Sequence, residues 1–146
     1  YGFKANMSDL NASLLADQIL NYEKLAKKKE KIYFTLKKKL ASLNQLQFPE
    51  NLKNKNRDYY LFPIGIEKKI RNKLIEYLTS KKIFVTVNFK SITKLKYYNK
   101  KYNNNNCPNS ERWGEETLSL PFHAKLEAKE INEIFNQIKF FLKKNN

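Results

Sequence analysis

The chain has 146 residues, which is room for one hydrophobic core. Its formal net charge of +15 invites a nucleic-acid partner, but the only arginines are Arg57, Arg71 and Arg112, too few guanidinium forks for a specific reader of guanine or phosphate. The single cysteine, Cys107, excludes an internal disulfide framework and a cysteine zinc site, and the apolar runs are far shorter than a membrane span. Asparagine is abundant beside lysine, as in Asn103-Asn104-Asn105-Asn106. The two share A-rich codons, so a compositional bias accounts for the charge without a ligand. The cytoplasm is the default location.

Ser8 reads as an N-cap with Asp9 in the first turn, and Met7, Leu10 and Leu14 follow at helical spacing. A second helix is predicted from about Tyr22 to Leu43, with Leu25, Ile32, Leu36, Leu40 and Leu43 as its apolar stripe. Lys27, Lys28, Lys31 and Lys38 fall largely off that stripe, as a solvated face. Phe48-Pro49 ends the element, and residues 51–58 read as a polar loop. Residues 59–66 read as a strand, in which Pro63 argues for an edge position or a bulge. Residues 67–80 form a helix with Ile70, Leu74, Tyr77 and Leu78 inward. Residues 83–88 are the clearest strand, rich in β-branched side chains. Residues 89–110 are expected to be long and irregular. Thr117 to Leu120 is a short strand stopped by Pro121. Residues 127–144 close the chain as a helix with Ile131, Ile134, Phe135, Ile138 and Leu142 on one face. This order predicts an α+β fold, a small sheet with helices packed on one side.

Few residues carry chemistry unaided. His123 is the only histidine, and nothing near Cys107 in sequence would activate its thiol. A hydrolase triad is therefore not credible, and no metal site has its ligands. Gly2, Gly65 and Gly114 are the only glycines, which rules out a glycine-rich phosphate loop. The segment with Lys90, Lys94, Lys96, Tyr97, Tyr98, Lys100, Lys101 and Tyr102 could hold phosphates and stack on a base or sugar, or be a polar loop.

Three segments, in order, carry a resemblance. Gly2-Phe3-Lys4-Ala5-Asn6-Met7-Ser8-Asp9-Leu10-Asn11-Ala12 resembles the Gly-aromatic-Asn-x-Arg-Met-(Ser/Thr)-Asp-x-x-Ala signature of the DegT/StrS family of sugar aminotransferases. Val85-Thr86-Val87-Asn88-Phe89-Lys90-Ser91-Ile92-Thr93 is similar to that family's Val-(Asn/His)-aromatic-x-Pro-x-His strand and turn. Pro108-Asn109-Ser110-Glu111, continuing through Ser119-Leu120-Pro121, is similar to its Pro-x-(Ala/Ser)-Glu…Ser-Leu-Pro segment.

The resemblance implies the aspartate-aminotransferase fold (fold type I) and the C-terminal part of the family chain. Residues 1–45 would close the large domain and form connecting helices. Residues 46–146 would be the small domain, with a small, mainly antiparallel sheet. The large cofactor domain, with its Schiff-base lysine, would lie upstream of Tyr1. The chain opens at Tyr1 rather than Met, as expected of a piece of a longer protein. The implied activity is conversion of a keto group on a nucleotide-linked sugar to an amine for surface glycans. The implied cofactor is pyridoxal phosphate, with glutamate as donor, in a homodimer whose sites lie at the subunit interface.

Residue by residue, Lys4 stands where the family asparagine reaches the cofactor phosphate of the neighbouring subunit, and Asn6 stands at the arginine position. A Lys-x-Asn version also occurs in the family, and a lysine can hold a phosphate as a point charge. Asn88, Phe89 and Thr93 stand in the substrate region, Thr93 at the usual histidine and Ser91 at the usual proline. The alternatives are a basic, non-enzymatic module that binds nucleic acid, whose affinity would fall steeply with salt, and a non-functional gene remnant.

Overall fold

The computed structural model describes residues 6–49, 58–101 and 107–145. Helix α1 spans Asp9–Leu20, and its Ser8 cap accepts a hydrogen bond from the Asn11 backbone N–H at 3.3 Å. It buries no residue: Met7, Leu10, Leu14 and Ile19 are all more than half exposed. Helix α2, Tyr22–Leu40, follows at once and buries Tyr33, Leu36 and Leu40. Its predicted stripe is right at Leu36 and Leu40, while Leu25 stays exposed. Lys27, Lys28, Lys31 and Lys38 are exposed, as a solvated face requires.

Strand β1, Phe62–Gly65, pairs antiparallel with β2, Thr117–Leu120, in the register Phe62 to Leu120 and Gly65 to Thr117. Helix α3, Lys68–Ser80, separates β1 from a run of shorter elements. These are a 3-10 turn at Ile92–Lys94, α4 at Lys96–Lys101 and α5 at Pro108–Glu116. Helix α6, Ala128–Lys144, closes the described chain with a capping box between Glu127 and Glu130. One core unites Leu36 and Leu40 of α2, Ile64 of β1, Leu74 and Leu78 of α3, Leu118 of β2, and Ile134 and Ile138 of α6. Tyr33 joins it through an aromatic cluster with Tyr59, Phe62 and Phe122.

Three expectations need correction. The run 83–88 is not a strand. Only Thr86 pairs, donating to Ser119 O at 3.1 Å and accepting from Ser119 N at 2.7 Å. Ile83 is buried and Val85 packs on the core while Phe84 is 71% exposed, so one side of the run is covered, but without a paired neighbour along its length it forms no strand. The expected irregular run holds the 3-10 turn and α4 and ends in the start of α5, whose Pro108 occupies the first turn where its missing N–H costs nothing, with Glu111 at the positive helix end. The one-sided layer is also wrong at β2. All four of its residues are buried, and alternate side chains face opposite ways, so both faces are covered.

Candidate functional site

The site is built where the chain leaves the sheet after Thr86. The Thr86 hydroxyl donates to Asn88 Oδ1 at 2.8 Å, and the Asn88–Phe89 peptide bond is cis. Asn88 is half-buried and Phe89 is 69% exposed. Both line a cavity of about 210 Å³ together with Asp58, Tyr59, Tyr60, Leu61, Pro63 and Trp113. Half of its lining residues are aromatic, Leu61 and Pro63 add apolar surface, and one carboxylate and one carboxamide are at hand. That mixture suits a sugar ring: aromatic faces cover carbon-bound hydrogens while Asp58 and Asn88 meet hydroxyls. The volume is below the usual range of roughly 300–1,000 Å³ for a whole drug-sized ligand, so the cavity has room for a ring-sized group only.

Trp113, on α5, was not singled out from the sequence, although it is the chain's only tryptophan. Its ring lies against Gly65 of β1, where an added Cβ would come within 2.9 Å of the ring's Cζ3. Gly65 thus makes room for an indole against the sheet.

Thr93 does not line this cavity. Its hydroxyl donates to Glu111 Oε1 of α5 at 2.7 Å and lies 2.9 Å from Ser91 Oγ, which in turn lies 3.1 Å from Ser110 Oγ. Lys94 Nζ reaches Glu111 Oε2 at 2.9 Å. The ammonium of Lys94 and then the Thr93 hydroxyl hold the Glu111 carboxyl below its ordinary value, and the same bond raises Lys94. The second and third motifs of the sequence therefore meet side chain to side chain. Asn6 is exposed just ahead of α1 and does not line the cavity; Lys4 lies outside the described residues.

A second cavity, of about 470 Å³, lies between the end of α3 and the start of α6 and meets the motifs only at Pro121. It is lined by Lys81, Lys82, His123 and Lys129 but also by Glu130 and Glu133. Among the described residues no group of His, Cys, Asp or Glu is placed to hold a metal ion, and no helix is long and apolar enough to cross a membrane.

A phosphorylated cofactor needs cations or converging N–H donors for its phosphate. Among the described residues the cavity at Asn88 is lined by a carboxylate and by no lysine, arginine or histidine. The described residues of this cavity do not fit the phosphate of pyridoxal phosphate.

Comparison with known proteins settles the family. The family model described as DegT/DnrJ/EryC1/StrS aminotransferase family matches residues 1–139. The chain belongs to the DegT/DnrJ/EryC1/StrS aminotransferase family. Among its DegT/DnrJ/EryC1/StrS relatives in structure, Spr1654 of Streptococcus pneumoniae, assigned as a sugar aminotransferase, superposes with a TM-score of 0.86 at 26% identity. That match covers 97% of this chain and 37% of Spr1654. The aminotransferase TlmJ of Streptoalloteichus hindustanus matches in fold, with a TM-score of 0.89 at 19% identity over 99% of this chain and 39% of TlmJ. In sequence, the uncharacterized protein MJ1066 of Methanocaldococcus jannaschii is 28% identical over 150 residues, 99% of this chain and 39% of that protein. The chain thus spans well under half the length of these relatives. Its helix-rich architecture with a small antiparallel sheet matches known aminotransferase structures.

Proposed function

We propose that this chain is the C-terminal part of a pyridoxal-phosphate-dependent aminotransferase acting on a nucleotide-linked keto sugar, with glutamate as amino donor, for surface polysaccharide or glycan synthesis. The supporting observation is the family match over residues 1–139, from a chain that covers only 37% of Spr1654 and 39% of MJ1066. In this reading residues 1–45 end the large domain and form the connecting helices, and residues 46–146 are the small domain. The lysine that anchors the cofactor lies on the large domain outside this chain, so the chain alone is inactive. The cofactor supplies the electron sink. The protein is a cytoplasmic homodimer.

This chain's own residues shape and orient the sugar. Phe89, Tyr60 and Trp113 cover a ring face, and Asn88 and Asp58 fix its hydroxyls at the cavity described above. Lys4 and Asn6 approach the cofactor phosphate of the neighbouring subunit. The exposed apolar side of α1, with Leu10, Leu14 and Ile19, packs on the rest of the protein, because apolar surface of that continuity is costly to leave in water.

The test is kinetic and uses the protein that carries this chain together with its cofactor domain. Asn88→Ala and Trp113→Ala are each expected to raise KM for the sugar nucleotide about tenfold, a change of about 1.4 kcal/mol and the scale of one lost contact. An unchanged KM in both variants refutes the placement of the sugar.

A further inference from the structure

We infer that helix α5 sets the position of the Asn88–Thr93 turn, with Glu111 as the positioning residue. The turn is not held by the sheet, since beyond the Thr86 bridge no ladder continues into it. It is held from α5 instead. Gly114 is buried, and an added Cβ there would come within 2.8 Å of Ser91 N and 3.2 Å of Phe89 O. The turn backbone thus rests on the helix backbone at the one place without a side chain. One turn earlier on α5, Glu111 spans the same segment with both oxygens, accepting from Thr93 at 2.7 Å and pairing with Lys94 at 2.9 Å.

The helix is itself tied to the body of the fold on its far side. Arg71 Nε of α3 donates to Glu115 O at 2.9 Å, and Lys68 pairs with Glu115 at 3.0 Å. Trp113 is seated on Gly65 of β1. Helix α5 is therefore a rigid link between the core and a turn that has little hold of its own. A carboxylate suits the link because one side chain takes a hydroxyl and an ammonium at once, with geometry a lone hydrogen bond would not fix. Asn99 Nδ2 completes the clamp from α4, donating to Thr93 O at 3.0 Å.

The consequence for substrate rests on the proposed function; the positioning itself does not. Two readouts separate them. The first uses the 146-residue chain and follows amide hydrogen exchange at Lys94 and Leu95, whose N–H groups bond to Ser91 O and Ile92 O within the turn. Glu111→Ala and Thr93→Val should speed that exchange at least tenfold, and Glu111→Gln, which still accepts from Thr93, should recover most of it. Lys27→Ala, on the exposed face of α2 and outside these contacts, should leave the turn's exchange unchanged relative to the core. Unchanged exchange in Glu111→Ala, or a Gln variant no better than Ala, overturns the inference. Thr93→Val keeps the test open if Glu111→Ala does not fold.

The second readout uses the protein with its cofactor domain and a sugar-nucleotide substrate. Glu111→Ala should raise KM at least fivefold with kcat per folded site retained, whereas a merely stabilising residue would lower the active fraction and leave KM alone. If exchange responds and KM does not, the positioning stands and the placement of the sugar at this turn fails.

Discussion

Gly114→Ala pits two effects against each other at one atom. Alanine is the better helix former, and inside α5 the replacement contributes up to roughly 1 kcal/mol in favour of folding. The new methyl meets Ser91 N at 2.8 Å and Phe89 O at 3.2 Å, closer than a carbon tolerates. Both obstacles are backbone, so no side chain can swing aside. The helix, held by Arg71 and Trp113, cannot retreat without disturbing the sheet. Overpacking of this kind costs roughly 1–3 kcal/mol. With both obstacles backbone, the cost should lie in the upper part of that range, roughly 2–3 kcal/mol, so the clash wins with a net loss of about 1–2 kcal/mol. With a urea slope of about 2 kcal/mol/M, the midpoint should fall by roughly 0.5–1 M. Urea titration followed by far-ultraviolet circular dichroism reads it without relying on Trp113, the neighbouring residue. A midpoint equal to or above that of the parent chain would show that the turn is slack against α5, and the argument from Gly114 would be wrong.

Helices α1 and α2 should respond in opposite ways to loss of apolar side chains. Leu36→Ala, at a fully buried site, should cost roughly 2–5 kcal/mol in the same titration. Leu10→Glu combined with Leu14→Glu, both on the exposed side of α1, should change it by at most about 0.5 kcal/mol while reducing self-association of the chain in sedimentation. The Glu111 carboxyl binds its proton less readily folded than unfolded, so its contribution is present above its ordinary value of 4.5 and is lost as pH falls through the lower folded value. Lys94, raised above its ordinary 10.5, contributes below that value and loses its contribution as pH rises through the folded one. Glu111→Gln should flatten the acid limb of stability measured between neutral pH and pH 3, and an unaltered acid limb would show that the pair carries no weight.

The helices that build the core were legible because their apolar residues recur every three or four positions. Leu36 and Leu40, Leu74 and Leu78, and Ile131, Ile134 and Ile138 are all buried as that spacing requires. The same spacing in α1 gave the right helix, but periodicity reports an apolar face and not what covers it. The run 83–88 misled because β-branched composition is a propensity, while a strand needs a partner along its length, and only Thr86 has one. Helix α5 was missed because Pro108 stands at the end of a polar, asparagine-rich run that reads as irregular, although proline at a helix start followed by an acid in the first turn is a start signal.

The candidate site was half legible. Asn88 and Phe89 came from the motif resemblance, and both line the aromatic cavity. Trp113 lies far in sequence from the segment of Asp58 and Tyr60, and only folding brings them to the same cavity. Thr93, from the same resemblance, does not line that cavity; its hydroxyl donates to Glu111, a contact across 18 positions that no local pattern announces.

The most direct measurement is transfer of nitrogen. Glutamate labelled with nitrogen-15 is incubated with a nucleotide-linked keto sugar and pyridoxal phosphate, once with the 146-residue chain alone and once with the protein that joins this chain to its cofactor domain. The account predicts a labelled amino sugar nucleotide from the joined protein and none from the chain alone. Label in the sugar from the chain alone, or none from the joined protein with any keto sugar nucleotide offered, would contradict it.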